Sequence, residues 1–120
     1  MNSKSTVYFL TAAMVVVGFA FPQQSKAESL KEAAAKIILD RGCVACHFIP
    51  GIPEAVGTMG PSLKNLMSRE MIVNGKLENT PDGLREWLRN PKSISPSTMM
   101  PNLGLEESEI EVLIKYFKTI

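Results

Sequence analysis

Cys43-Val44-Ala45-Cys46-His47 is the stretch on which the rest of this 120-residue chain turns. Two thiols separated by two residues, with an imidazole directly after the second, form the attachment pattern for c-type haem. The thiols add across the two vinyl groups of a porphyrin, and the imidazole is left under the iron as an axial ligand. A short helical turn accounts for the spacing, since it brings both sulfurs to one porphyrin edge while the ring nitrogen reaches the metal. A C-x-x-C pair also serves as a structural disulfide, a thioredoxin-like redox pair or half of a zinc site. The redox pair needs a βαβ setting, whereas the hydrophobic pattern here is helical. A zinc site would need a further ligand, because the chain holds two Cys and one His.

Outward from this motif the punctuation is clear. Upstream, Ser29-Leu30-Lys31-Glu32 reads as a capping box. Leu30, Ala33, Ala34, Ile37, Ile38 and Arg41 follow at helical steps, and Gly42 stops the run. A first helix is expected over 30–41. Downstream, residues 48–61 carry Pro50, Pro53 and Pro61 with Gly51, Gly57 and Gly60, which exclude regular structure. This loop is apolar, as expected if it covers one side of a porphyrin. One short helix fits at 62–67, and the interval to Thr80 reads as irregular with a turn at Gly75.

Thr80-Pro81-Asp82 combines an N-cap, a proline at the first helical position and an acid in the first turn. Leu84, Trp87 and Leu88 then give the helix over 81–89 one buried face, and Asn90-Pro91 ends it. Residues 92–104, with Pro96, Pro101 and the pair Met99-Met100, show no periodicity. A last helix over about 106–118 has Ile110, Leu113, Ile114 and Phe117 as its stripe, with Glu106, Glu107, Glu109 and Glu111 near its positive end. No strand is expected. The fold class is all-α: three to four helices with long loops around one covalently bound haem.

The N-terminus reads as an export signal over 1–27, leaving one domain over 28–120. Lys4 supplies the positive start, an apolar run covers 7–21, and Pro22 breaks it. Ser25-Lys26-Ala27 places small residues at the two positions a signal peptidase reads. The apolar run is shorter than the roughly 20 residues that span a bilayer, so cleavage after Ala27 is expected rather than a membrane anchor. Net charge is +1 for the whole chain. Loss of Lys4 and Lys26 leaves 11 basic against 12 acidic residues. No basic field points to nucleic acid. A periplasmic or otherwise extracytoplasmic location follows, and it agrees with thiols consumed by haem.

With these parts in order, residues 28–120 resemble a class I cytochrome c. The likeness rests on Cys43, Cys46 and His47, on Gly60-Pro61-Ser62-Leu63, on Met100-Pro101 and on the terminal helix ending Tyr116-Phe117. It implies that Pro61 offers its backbone carbonyl to the second nitrogen of His47, fixing the tautomer. It also implies crossing first and last helices, with Ala35 at a position usually held by Gly and Tyr116 or Phe117 as its partner. Glu106 stands where the family commonly has Ser or Thr, a weaker cap.

Met100 is the expected sixth ligand, since His47 is the one histidine and a thioether suits a Met/His pair. Pro101 favours an extended Met100. Met99 is the alternative; Met59 would have to cross the porphyrin plane, and Met67 and Met71 read as packing. Arg69, Asn79 and Trp87 are candidate partners for the haem propionates, with Trp87 equally a wall residue. The implied activity is single-electron transfer by an exported mono-haem carrier, not catalysis, between redox proteins. A quinol-oxidising complex or dehydrogenase would be the donor and a terminal oxidase or reductase the acceptor. Residues near Cys43 and over 48–52 would be the docking patch. Two other functions stay open: a haem subunit held in a larger respiratory oxidoreductase, and a ligand-binding or peroxidase-like enzyme in which Met100 dissociates.

Overall fold

The computed structural model describes residues 25–120. The apolar run and proline break behind the export expectation lie outside the described residues. Helix α1 (Lys26–Asp40) starts four residues before the expected position. Ser25 is its N-cap and accepts from the Glu28 N–H at 3.2 Å. Ser29, expected as the cap, sits inside the helix and donates its hydroxyl to the Lys26 carbonyl at 2.9 Å. The Ser-x-x-Glu pattern occurs twice in succession, and nothing in Lys26-Ala27 opposes a helix, so the earlier serine is the cap. Ala34 and Ile38 form the buried face, while Ala33 is exposed. Ala34 is fully buried, and Ala35 beside it is partly buried and packs on the core.

Gly42 leaves the helix with φ 74°, and a single 3₁₀ turn (Cys43–Ala45) carries the first thiol. The Cys46 and His47 N–H groups both donate to the Cys43 carbonyl, at 3.2 and 3.0 Å. The apolar loop that follows divides its residues: Met59, Gly60 and Pro61 line the cavity, while its first part packs into the core. It folds on itself: Phe48 bridges Val56, and the Ile49 N–H donates to the Ala55 carbonyl at 3.1 Å. Ile49, Ile52 and Ala55 are buried in the protein core, and Tyr116 Oη donates to the Pro50 carbonyl at 2.8 Å. Proline and glycine forbid a ladder here but not turn bonds, so the apolar side chains are free to join the helices.

The short helix expected at 62–67 is reduced to a 3₁₀ turn (Leu66–Ser68), and the interval expected to be irregular contains a small antiparallel hairpin. Strand β1 (Met71–Ile72) pairs with β2 (Leu77–Glu78), Met71 opposite Glu78 and Ile72 opposite Leu77. Val73, Asn74 and Gly75 turn the chain with φ of 55, 55 and 77°. A valine in the left-handed region is uncommon, and two-residue strands leave no alternation to detect.

Helix α2 (Pro81–Arg89) matches expectation, with Thr80 Oγ1 accepting from the Gly83 N–H at 3.0 Å. A one-turn helix α3 (Pro91–Ile94) follows where none was expected; Pro91 begins it, as proline favours. Helix α4 (Glu107–Phe117) packs against both α1 and α2. Its weak cap is offset by Glu109, which accepts from the Glu106 N–H at 2.8 Å. The same carboxylate takes both arms of the Arg41 guanidinium, at 3.1 and 2.7 Å, and so ties α4 to the end of α1. Arg85 reaches from α2 to Glu107 and Glu111 on α4, and Arg89 also pairs with Glu107. Ile110, Leu113, Ile114 and Phe117 are buried, as their spacing required.

Candidate haem site

One cavity of about 670 Å³ opens between these elements. Cys43, Cys46, His47, Pro61, Trp87 and Met100 all line it. Leu66, Leu84, Leu88, Leu113 and Phe117 supply apolar wall. The volume falls within the roughly 300–1,000 Å³ of small-molecule and cofactor sites.

The His47 side is built by backbone. His47 Nδ1 lies 2.7 Å from the Pro61 carbonyl oxygen. A carbonyl only accepts, so Nδ1 carries the proton and Nε2 keeps its lone pair for a metal. The Gly60 N–H donates to the Cys46 carbonyl at 2.7 Å, drawing the returning loop against the motif. No side chain would fit beneath the ring: a Cβ at Gly60 would fall 2.5 Å from His47 Cε1. At Gly57 it would meet the Cys46 carbonyl carbon at 2.5 Å and the His47 nitrogen at 2.7 Å. Both thiols are free and half-buried. Burial pushes the Cys43 thiol up, with the neighbouring Cys46 adding to the shift and a backbone hydrogen bond opposing it. The neutral thiol is therefore favoured.

The Met100 side is built by side chains. Met100 is half-buried and packs on the core, and its N–H donates to Thr98 Oγ1 at 3.2 Å. Met99 also reaches the cavity rim but is 83% exposed. Met59 is 70% exposed, with its sulfur 4.0 Å from Cys46 Sγ. Met67 packs on the core, whereas Met71 lines the cavity and is half-exposed rather than packed away. In the expected docking stretch, Phe48 is exposed but Ile49 and Ile52 are buried.

Of the other expected partners, Arg69 lines the cavity and its Nη2 donates to the Ser62 and Lys64 carbonyls at 2.6 and 2.9 Å. Asn79 does not reach the cavity. Its Nδ2 donates to the Leu66 and Arg69 carbonyls, and it borders a separate hollow with Glu70, Met71 and Glu78. Lys76 and Ser95 were not anticipated, yet both line the cavity, joined Nζ to Oγ at 3.1 Å. Nineteen residues separate them, and neither lies in a recognisable motif.

Paired thiols, an imidazole oriented from behind, an apolar chamber of macrocycle size and a glycine where a Cβ would strike the imidazole together fit a covalently attached haem. This donor set on a small helical frame defines a c-type haem protein. The Cytochrome c family is matched over residues 32–120, and the chain belongs to it. It accordingly binds haem c covalently, one group at its one C-x-x-C-H motif. Two curated relatives are similar. Cytochrome c oxidase subunit 2 of Alkalihalophilus pseudofirmus is 29% identical over 106 residues, covering 88% of this chain and 30% of that protein. Cytochrome c oxidase subunit 2 of Bacillus sp. strain PS3 is 30% identical over 105 residues, covering 82% and 29%. The chain thus spans less than a third of the length of these relatives. No solved structure matches it significantly.

Proposed function

We propose that the chain is a mono-haem electron carrier whose iron is held between His47 and Met100. The observation that carries this reading is the 2.7 Å approach of His47 Nδ1 to the Pro61 carbonyl, which leaves Nε2 available beside two half-buried thiols. Haem c supplies one-electron chemistry by alternating between ferrous and ferric iron. Cys43 and Cys46 hold the group by thioether bonds. Pro61 orients His47, and Gly57 and Gly60 make room for that orientation. Met100 would provide a thioether from a half-buried position, and Pro101 after it favours an extended Met100 backbone. Trp87 contributes wall area and one indole N–H. His47 and Met100 would both ligate the iron, and the role that this supports is electron transfer rather than catalysis by the chain alone.

The partners would be a quinol-oxidising complex or dehydrogenase on one side and a terminal oxidase or reductase on the other. Likeness to oxidase subunits favours a second form of the same role, in which the domain is held permanently in a respiratory complex. Export over 1–27 would place it outside the cytoplasm. Among the described residues no helix is long and apolar enough to cross a membrane. Cleavage after Ala27 would remove the Ser25 cap and start the mature chain inside α1.

Intact mass of the exported protein tests attachment and cleavage together: the mature chain plus one haem is expected, and a mass without haem contradicts the reading. Gel filtration of detergent-solubilised membranes separates a free carrier from a subunit by whether haem absorbance elutes alone or with an oxidase.

A further inference from the structure

The cavity wall carries two charged side chains, Arg69 and Lys76, and both are cations. Arg69 is bound to its own loop through two carbonyls. Lys76 instead leaves the hairpin turn to meet Ser95, whose residue is only 5% exposed, at 3.1 Å. An ammonium has three N–H donors, of which this contact uses one. The Ser95 oxygen accepts that bond and keeps its own O–H to give. The pair therefore offers up to three donors to one further group, and that group must be an acceptor. A cation and a buried hydroxyl sharing a wall of a mostly apolar chamber suit a carboxylate, which accepts at both oxygens and is costly to bury unpaired.

We propose that Lys76 and Ser95 form a carboxylate-binding pair for a haem propionate and act as positioning residues for the electron-transfer potential. The proposal rests on the haem-binding reading above. Ser95 holds the flexible lysine stem in one place, and Lys76 keeps the propionate ionised. A cation near the macrocycle also disfavours the more positive, oxidised iron, so the pair raises the potential. Other charged residues nearby are Arg69 on the cavity wall, Glu70 and Glu78 at the separate hollow beside the hairpin, and exposed Lys92 on α3.

The test uses purified holoprotein, with covalent haem verified by mass in every sample. Midpoint potential is measured from acid to alkaline pH for wild type, Lys76→Met, Lys76→Arg and Ser95→Ala. Lys115→Met, exposed on α4, is the control. Lys76→Met is expected to lower the potential by the equivalent of roughly a two- to five-fold change in the oxidised-to-reduced ratio. The pH inflection of the potential should also rise by about one unit or more. Lys76→Arg keeps the cation and should stay near wild type, Ser95→Ala should shift less in the same direction, and the control should not move. A Lys76→Met profile that overlays wild type, or a Lys76→Arg shift equal to that of Lys76→Met, overturns the proposal. Should Lys76→Met fail to accumulate as holoprotein, Ser95→Ala decides: an unchanged profile overturns it and a downward shift supports it. Wild type without attached haem contradicts the haem reading itself and leaves a distinct signature.

Discussion

The two sides of the cavity are built differently. Around His47 the chain returns on itself, so that Gly57 and Gly60 press on the backbone of Cys46 and the ring of His47, with the Pro61 carbonyl behind. Around Met100 the wall comes from a hairpin of two-residue strands and an irregular segment, joined by Lys76 to Ser95 and by the Met100 N–H to Thr98. Backbone contacts in a folded loop leave few alternative positions, whereas side-chain bridges on an exposed segment leave several. The His47 side should therefore be intolerant of added volume and the Met100 side tolerant of substitution, except at the proposed ligand Met100.

The largest effect expected from this contrast is at Gly57. An added Cβ meets backbone atoms that cannot rotate away, so Gly57→Ala should lose about 3 kcal/mol by denaturant titration and attach haem poorly. Gly60→Ala comes next. Its Cβ meets the imidazole, which is able to tilt, so about 2 kcal/mol is expected together with a perturbed His47 signature in the haem spectrum. A Gly57→Ala protein as stable as wild type would remove the distinction between the two sides.

Tyr116→Phe sharpens the comparison from farther out. It deletes the hydrogen bond that fixes the apolar loop to α4 and should cost about 1 kcal/mol without changing the visible spectrum. Glu109 gives the smallest effect, confined to acid. Its carboxyl lies below the usual glutamate range because it accepts the Glu106 N–H first and pairs with Arg41 second. A lowered carboxyl stabilises the fold above about pH 4.3, and that contribution fades as pH falls through the native value. Glu109→Gln should therefore flatten the acid limb of the stability curve and leave neutral haem spectra unchanged.

How much of this was legible beforehand follows the range of the interactions. Helix α2 could be read from Thr80-Pro81-Asp82 because its cap, first turn and apolar spacing all lie within nine residues. The stripe of α4 was readable for the same reason. The start of α1 was not, since two consecutive Ser-x-x-Glu patterns compete and a leader assignment hid Ser25. The hairpin was invisible because two-residue strands carry no period. Composition marks the apolar loop as covered but not by what: its first part joins the core, with the Pro50 carbonyl bonded to Tyr116 (66 residues on), and Met59, Gly60 and Pro61 reach the cavity. At the site, the C-x-x-C-H motif named its chemistry outright. Pro61 and Met100 came through family likeness, and the Lys76–Ser95 contact had no local signal at all.

The central claim is that this cavity holds haem iron between His47 and Met100. The most direct measurement is the visible spectrum of the oxidised holoprotein, in which thioether-to-iron charge transfer gives a weak long-wavelength band. The band is expected in wild type and in Met99→Ala and absent from Met100→Ala. A band that survives in Met100→Ala, or that wild type lacks, contradicts the assignment.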